Sequence, residues 1–123
     1  MKYVCLVYGD EKAMHEFPDE ECVAYSEEIG ASGHRLGGEA LQPVETATTI
    51  RVRGGSVSTT DGPFAETKEQ LAGFYLIEAR DLNEAIRLAS RIPPARIGSI
   101  EVRPVRELMT QQPRSAGAAA EAP

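Results

Sequence analysis

The alternation of apolar and polar positions changes period along this chain, and each change marks an element. Lys2–Tyr8 is almost wholly apolar and stops at Gly9-Asp10, which predicts a central strand. Pro18 followed by Asp19, Glu20 and Glu21 predicts a helix start, because proline suits the first turn and the acids meet the positive end of the helix dipole. Cys22, Tyr25, Ser26 and Ile29 form the inner stripe of that helix, and Gly30 and Gly33 close it. Arg35–Leu41 reads as a second strand, weakened by Gly37 and Gly38. Two β-rich runs, 48–53 and 56–60, flank Gly54-Gly55, and two glycines supply the positive φ of a tight hairpin. A further strand is expected over Leu71–Ala79. Asp81-Leu82-Asn83-Glu84 has the spacing of a capping box before a second helix, with Leu82, Ala85, Ile86, Ala89 and Ile92 as its buried stripe and Pro93-Pro94 as its stop. Ser99–Val105 alternates Ile100 and Val102 against Glu101 and Arg103 as the last strand.

The resulting order, β-α-β-β-β-β-α-β, predicts an α+β domain. It is a ferredoxin-like βαβ sandwich with an extra β-hairpin and two helices on one face of a mainly antiparallel sheet. A small sheet with one uncovered face predicts a homodimer. Residues 1–109 form this domain. From Thr110 onward the chain runs through Gln, Pro, Ser, Gly and Ala without an apolar pattern, which predicts a disordered low-complexity tail over 110–123.

Composition narrows the function classes. Thirteen Lys and Arg against nineteen Asp and Glu give a net charge of −6, a poor basis for direct nucleic-acid binding. The charge is not evenly spread. Residues 10–28 hold eight acids against Lys12, a balance of −7, and the other eleven acids and twelve bases sum to +1. The acidity therefore belongs to one loop and the outer face of the first helix. Cys5 and Cys22 lie outside any CxxC and read as reduced core thiols. The short apolar run at the start resembles neither a signal segment nor a membrane span, so a cytoplasmic protein with no membrane partner is expected. Two histidines, His15 and His34, without HxH or HxxxH spacing predict no metal site, and no cofactor motif is present.

The most unusual stretch is Thr60-Asp61-Gly62-Pro63-Phe64-Ala65-Glu66-Thr67-Lys68-Glu69-Gln70. Asp61 either bonds nearby amides in an Asx-type turn or joins Lys68 and Glu66 in holding a polar ligand. Lys68 lies between Glu66 and Glu69, so a solvated ion pair competes with a role at a site. Glu39 sits between Gly38 and Ala40, where small neighbours allow close approach, and solvent exposure is its plainer fate. Tyr8, Tyr75 and Glu78 sit on or at the ends of strands and either line the same cavity or pack in the core. His34 follows a helix end, where an imidazolium favours the dipole.

Asp61-Gly62-Pro63-Phe64, then Ala65-Glu66-Thr67-Lys68-Glu69 and Gly73-Phe74-Tyr75, resembles the signature of the YCII-related, or DGPF-domain, family. Supporting landmarks are Met1-Lys2-Tyr3, Tyr8-Gly9-Asp10, Gly38-Glu39-Ala40-Leu41-Gln42-Pro43 and Glu101-Val102-Arg103-Pro104-Val105, so the likeness spans about residues 1–106. The resemblance implies a ferredoxin-like fold pairing into a dimeric α/β barrel, a superfamily that includes small isomerases, heme-degrading enzymes and cofactor-free monooxygenases. A catalytic His-Asp pair proposed for shorter relatives does not carry over, because the helix from Glu20 to Ile29 holds no histidine. Two functions of different class follow. The first is an enzyme or binder of an unknown small polar molecule near Asp61–Lys68. Asp61, Lys68 and Glu39 are its candidate catalytic groups, and Glu66, Tyr75, Tyr8 and Glu78 its candidate ligand contacts. The second, implied by the resemblance, is a non-catalytic regulatory partner of an extracytoplasmic-function sigma factor.

Overall fold

Strand β1 (Lys2–Gly9) alternates between buried and half-buried residues, with Tyr3, Cys5 and Val7 on the covered face. That two-residue period makes β1 the centre of the domain. The structure, a computed structural model, describes residues 1–109, so the expectation for 110–123 lies outside the described residues. After β1 come a short helix α1 (Glu11–His15), the long helix α2 (Asp19–Ala31) and strand β2 (Arg35–Ala40). The hairpin β3 (Thr48–Arg53) and β4 (Ser56–Asp61), strand β5 (Gln70–Glu78), helix α3 (Leu82–Ser90) and strand β6 (Ser99–Pro104) follow, with short 3-10 turns at Val44–Thr46 and Pro93–Arg96.

The main sheet runs β2-β5-β1-β6, and every neighbouring pair is antiparallel. Thus β1 and β2 are parallel with β5 between them, and β5 and β6 are parallel with β1 between them. Each parallel pair is joined by a helical crossover, which gives two interleaved split βαβ units, the ferredoxin-like arrangement. The covered face buries Tyr3, Cys5, Val7 and Ile77 against Tyr25 and Ile29 of α2, Ala85, Leu88 and Ala89 of α3, and Ile92 beyond it. The opposite face carries Val4, Leu6 and Tyr8 of β1 beside Leu76 and Phe74 of β5, all half-buried.

The strands and both long helices match the sequence expectation, with three differences. The segment after β1 forms a helix because Asp10 caps it, its carboxylate accepting from the Ala13 amide at 3.1 Å. The inner face of α3 is Ala85, Leu88 and Ala89, continued by Ile92, rather than the expected stripe through Leu82 and Ile86. Those residues follow i, i+3, i+4, i+7, whereas Ile86 lies about 100° round from Ala85 and is 48% exposed, and Leu82, in the first turn, is 50% exposed. Finally, the extra hairpin of β3 and β4 forms a sheet of its own, a placement that the pattern alone did not assign.

Asp81 caps α3 as its spacing predicted, accepting from the Glu84 amide at 2.9 Å. The Glu84 carboxylate turns back to the Arg80 amide at 2.7 Å, one residue before the position of a standard capping box. Tyr25 joins the two long helices, its buried hydroxyl donating to the Leu88 carbonyl at 2.7 Å. That carbonyl also accepts from the Arg91 amide at 3.2 Å, so losing the hydroxyl does not leave it unpaired. Tyr25→Phe is therefore expected to cost about 1 kcal/mol, read as a lower urea midpoint at unchanged slope.

Candidate functional site

Beside the core, α2 stands off from the β2–β5 edge of the sheet and leaves an open groove of about 800 Å³. Backbone sterics set its floor. Gly38, at φ +154°, passes so close to β5 that an added Cβ would lie 2.7 Å from the Phe74 carbonyl oxygen. At Gly73, opposite Ala40, an added Cβ would lie 2.9 Å from the Glu39 carbonyl oxygen. Two strands packed this closely across glycines present a low floor under the helix.

The α2 wall is formed by Asp19, Cys22, Val23, Ser26, Glu27 and Gly30; Met14 and Phe17 close one end, and Arg35, Leu41 and Tyr75 belong to the sheet side. Most of this lining is apolar, with the Ser26 hydroxyl and the Tyr75 phenol as polar groups among it. Tyr75 meets Tyr25 edge to face, with ring centroids 5.4 Å apart at 89°. Burial pushes the Tyr75 phenol up from its ordinary value, and the Ser26 hydroxyl pulls the other way. It therefore stays a hydrogen-bond donor at neutral pH. The Cys22 thiol is likewise pushed up, first by burial and then by Asp19 and Glu21, with Arg96 opposing. A thiol held in its neutral form is a weak nucleophile.

The candidate residues from the sequence are not brought together. Tyr75 and Glu39 line the groove, Glu39 as an exposed residue opposite Phe74 in the register. Asp61 ends β4, and Glu66 and Lys68 follow in the connection to β5; all three are exposed. Among the described residues no hydrogen bond or ion pair joins their side chains, and none of residues 42–71 lines the groove. The hairpin carries this segment away from the main sheet, and the Gly62 amide bonds back to the Ala47 carbonyl at 2.7 Å. Tyr8 lies on the opposite face of β1 from the groove. Glu78 pairs with the amino group of Met1, and its carbonyl oxygen lies 2.9 Å from His34 Nδ1. The His34 amide donates to the Ile29 carbonyl at 3.0 Å, a helix-end role in keeping with its position after α2.

The sequence reading missed Ser26, Cys22 and Arg35 as groove residues. A signal existed: a serine inside an otherwise apolar helix stripe marks a place where the helix faces a polar group or open space. Among the described residues no three His, Cys, Asp or Glu side chains converge as metal ligands, and no helix is long and apolar enough to cross a membrane.

Comparison with known proteins gives two matches. A family model described as the YCII-related domain matches residues 1–109. An uncharacterized protein of Rhizobium meliloti (strain 1021), R00369, is 40% identical over 114 residues, covering 85% of this chain and 92% of that protein.

Proposed function

The chain belongs to the YCII-related domain family, and on that footing we propose that it binds a small molecule in the groove between α2 and the β2–β5 edge. The ligand has an apolar body and one hydrogen-bonding group, met by the Tyr75 phenol and the Ser26 hydroxyl. One observation carries this reading: an apolar-walled groove of about 800 Å³, in the range of small-molecule sites, holds a few polar groups on a floor made by glycines. The raised Cys22 and Tyr75 values favour binding and orientation over covalent attack. We favour this groove over Asp61–Lys68 because Asp61, Glu66 and Lys68 are exposed and line none of it.

The protein acts as a homodimer of the α/β-barrel kind. The helix-free face, with Val4, Leu6, Phe74 and Leu76 in adjacent register, is an apolar surface suited to a second copy. A sigma-factor partner finds less support, since the acidic face of α2 is already partly paired within the chain, Glu21 with Arg96 at 2.7 Å and Glu28 with Arg91.

The groove is tested by thermal shift with small cyclic ketones and phenols. A compound at tenfold its Kd stabilises by about 1.4 kcal/mol and raises Tm by roughly 5 °C. Ser26→Leu, which fills the groove from α2, is expected to abolish the shift, and Lys68→Ala to leave it intact. The reverse pattern moves the site to the Asp61–Lys68 segment. Light scattering at micromolar concentration tests the dimer.

A further inference from the structure

The β3–β4 hairpin is built like an interface without an interface. It is a two-stranded sheet separate from the main one, so among the described residues both its edges lack a strand partner. Isolated two-stranded ribbons are at best marginal in water and need a third strand or a packed face. Its register places Ile50, Val52 and Val57 on one face and Arg51, Arg53 and Ser58 on the other. That is the alternation of a ribbon with one face covered. Yet Ile50, Val52 and Val57 are 63%, 57% and 67% exposed.

Charge indicates what covers it. Residues 48–60 hold Arg51 and Arg53 and no acid, whereas residues 10–28 of the same chain carry −7. The surface that a basic, aliphatic ribbon fits is acidic with apolar patches. The mouth of the groove is such a surface: exposed Val23 stands one helical turn from both Asp19 and Glu27 on α2, exposed Leu41 lines the same groove, and neither carboxylate has an ion-pair partner among the described residues. The ribbon does not line the groove of its own chain. Reach is sufficient. Six residues per strand extend about 20 Å, against about 14 Å across four strands, so the ribbon can pass the edge of a neighbouring sheet.

We propose that the β3–β4 ribbon is a subunit arm that lies across the mouth of the groove in a second copy of this chain. Its aliphatic face packs on Val23 and Leu41, and Arg51 and Arg53 reach round its edge to Asp19 and Glu27. The arm completes the site: each protomer supplies the floor and walls of one groove and the cover of the other. This rests on the groove and on the dimer proposed above, and it adds what covers the groove.

Cys22, in the groove wall, provides the test. A cysteine at the exposed arm position, Val52→Cys, is paired with native Cys22 using a short bis-maleimide at pH 8.5 on the full chain. The expected product is a covalent dimer in at least half of the protein, with Val52→Cys joined to Cys22 by peptide mapping. Cys22→Ser in the same background should lower it at least tenfold, and 1 M salt should slow its formation several-fold. A dimer by light scattering that gives undiminished cross-linking after Cys22→Ser, or only arm-to-arm product, overturns the arm and leaves the dimer standing. A monomer overturns both. Ligand shifts abolished by Ser26→Leu report on the groove in every case, so its failure is separable from that of the arm.

Discussion

Gly98→Ala is expected to lower the stability of the domain by about 3 kcal/mol, at the upper end of overpacking costs. A Cβ at that position would sit 2.1 Å from the Tyr8 carbonyl oxygen and 3.1 Å from the Gly9 Cα. Both are backbone atoms of the central strand, so no flexible side chain can swing aside. Relief requires moving the start of β6 away from β1, beginning with the Tyr8–Ser99 pair. That shift loosens Ile100 and Val102, which pack against the core, and the loss spreads beyond the substituted residue. Gly30 offers the contrast. An added Cβ in the last turn of α2 meets nothing within 4 Å, and alanine there removes unfolded-state entropy, so Gly30→Ala should stabilise by about 0.5 kcal/mol. Urea denaturation of both variants checks the pair. A Gly98→Ala protein as stable as the parent would show that β1 and β6 are not held at this separation in solution.

The same two glycines illustrate what the sequence made legible. Gly30 was readable as part of a helix end, because helix punctuation is local. Gly98 carries no local signal, because its constraint comes from Tyr8, ninety residues away in the chain. The split applies to the whole molecule. Strands and long helices were legible from period and caps, as at Asp81 and Pro18, where cause and effect lie within four residues. The groove was not, since it exists only where α2 crosses the closely packed β2 and β5, and Ser26 and Gly73 come to line one groove only in the fold. The Asp61–Lys68 segment is the opposite case. Its residue types suggest chemistry, but chemistry needs convergence and partial burial, and the hairpin carries these side chains into solvent. The hairpin itself was legible down to its turn glycines, and only its separation from the main sheet was not.

Stability should hold steady up to about pH 9 and then fall by about 3 kcal/mol by pH 11, with further loss above. Cys5, at the centre of β1, is fully buried, and burial pushes its thiol from an ordinary 9.0 up to about 11. Burial also pushes the Tyr25 phenol above its ordinary 10.0. In both cases the folded environment disfavours the anion, so the unfolded chain releases its proton first. Across pH 9–11 the unfolded state therefore binds fewer protons than the folded state, and rising pH favours unfolding. Below pH 9 both states are protonated and the contribution is complete. Urea midpoints at pH 8, 9, 10 and 11 measure this slope, and Cys5→Ala assigns it. That variant should start lower at pH 8, through lost packing, but decline less between pH 9 and 11. A residual slope remains from Tyr25, Tyr75 and Cys22, all pushed in the same direction. An unchanged slope in Cys5→Ala would mean that water reaches β1 and that the core is looser than its packing indicates. The consequence extends to the groove. Burial that disfavours the anions of Tyr75 and Cys22 presents them to a ligand at neutral pH as donors, which is the chemistry of holding a molecule in place rather than attacking it.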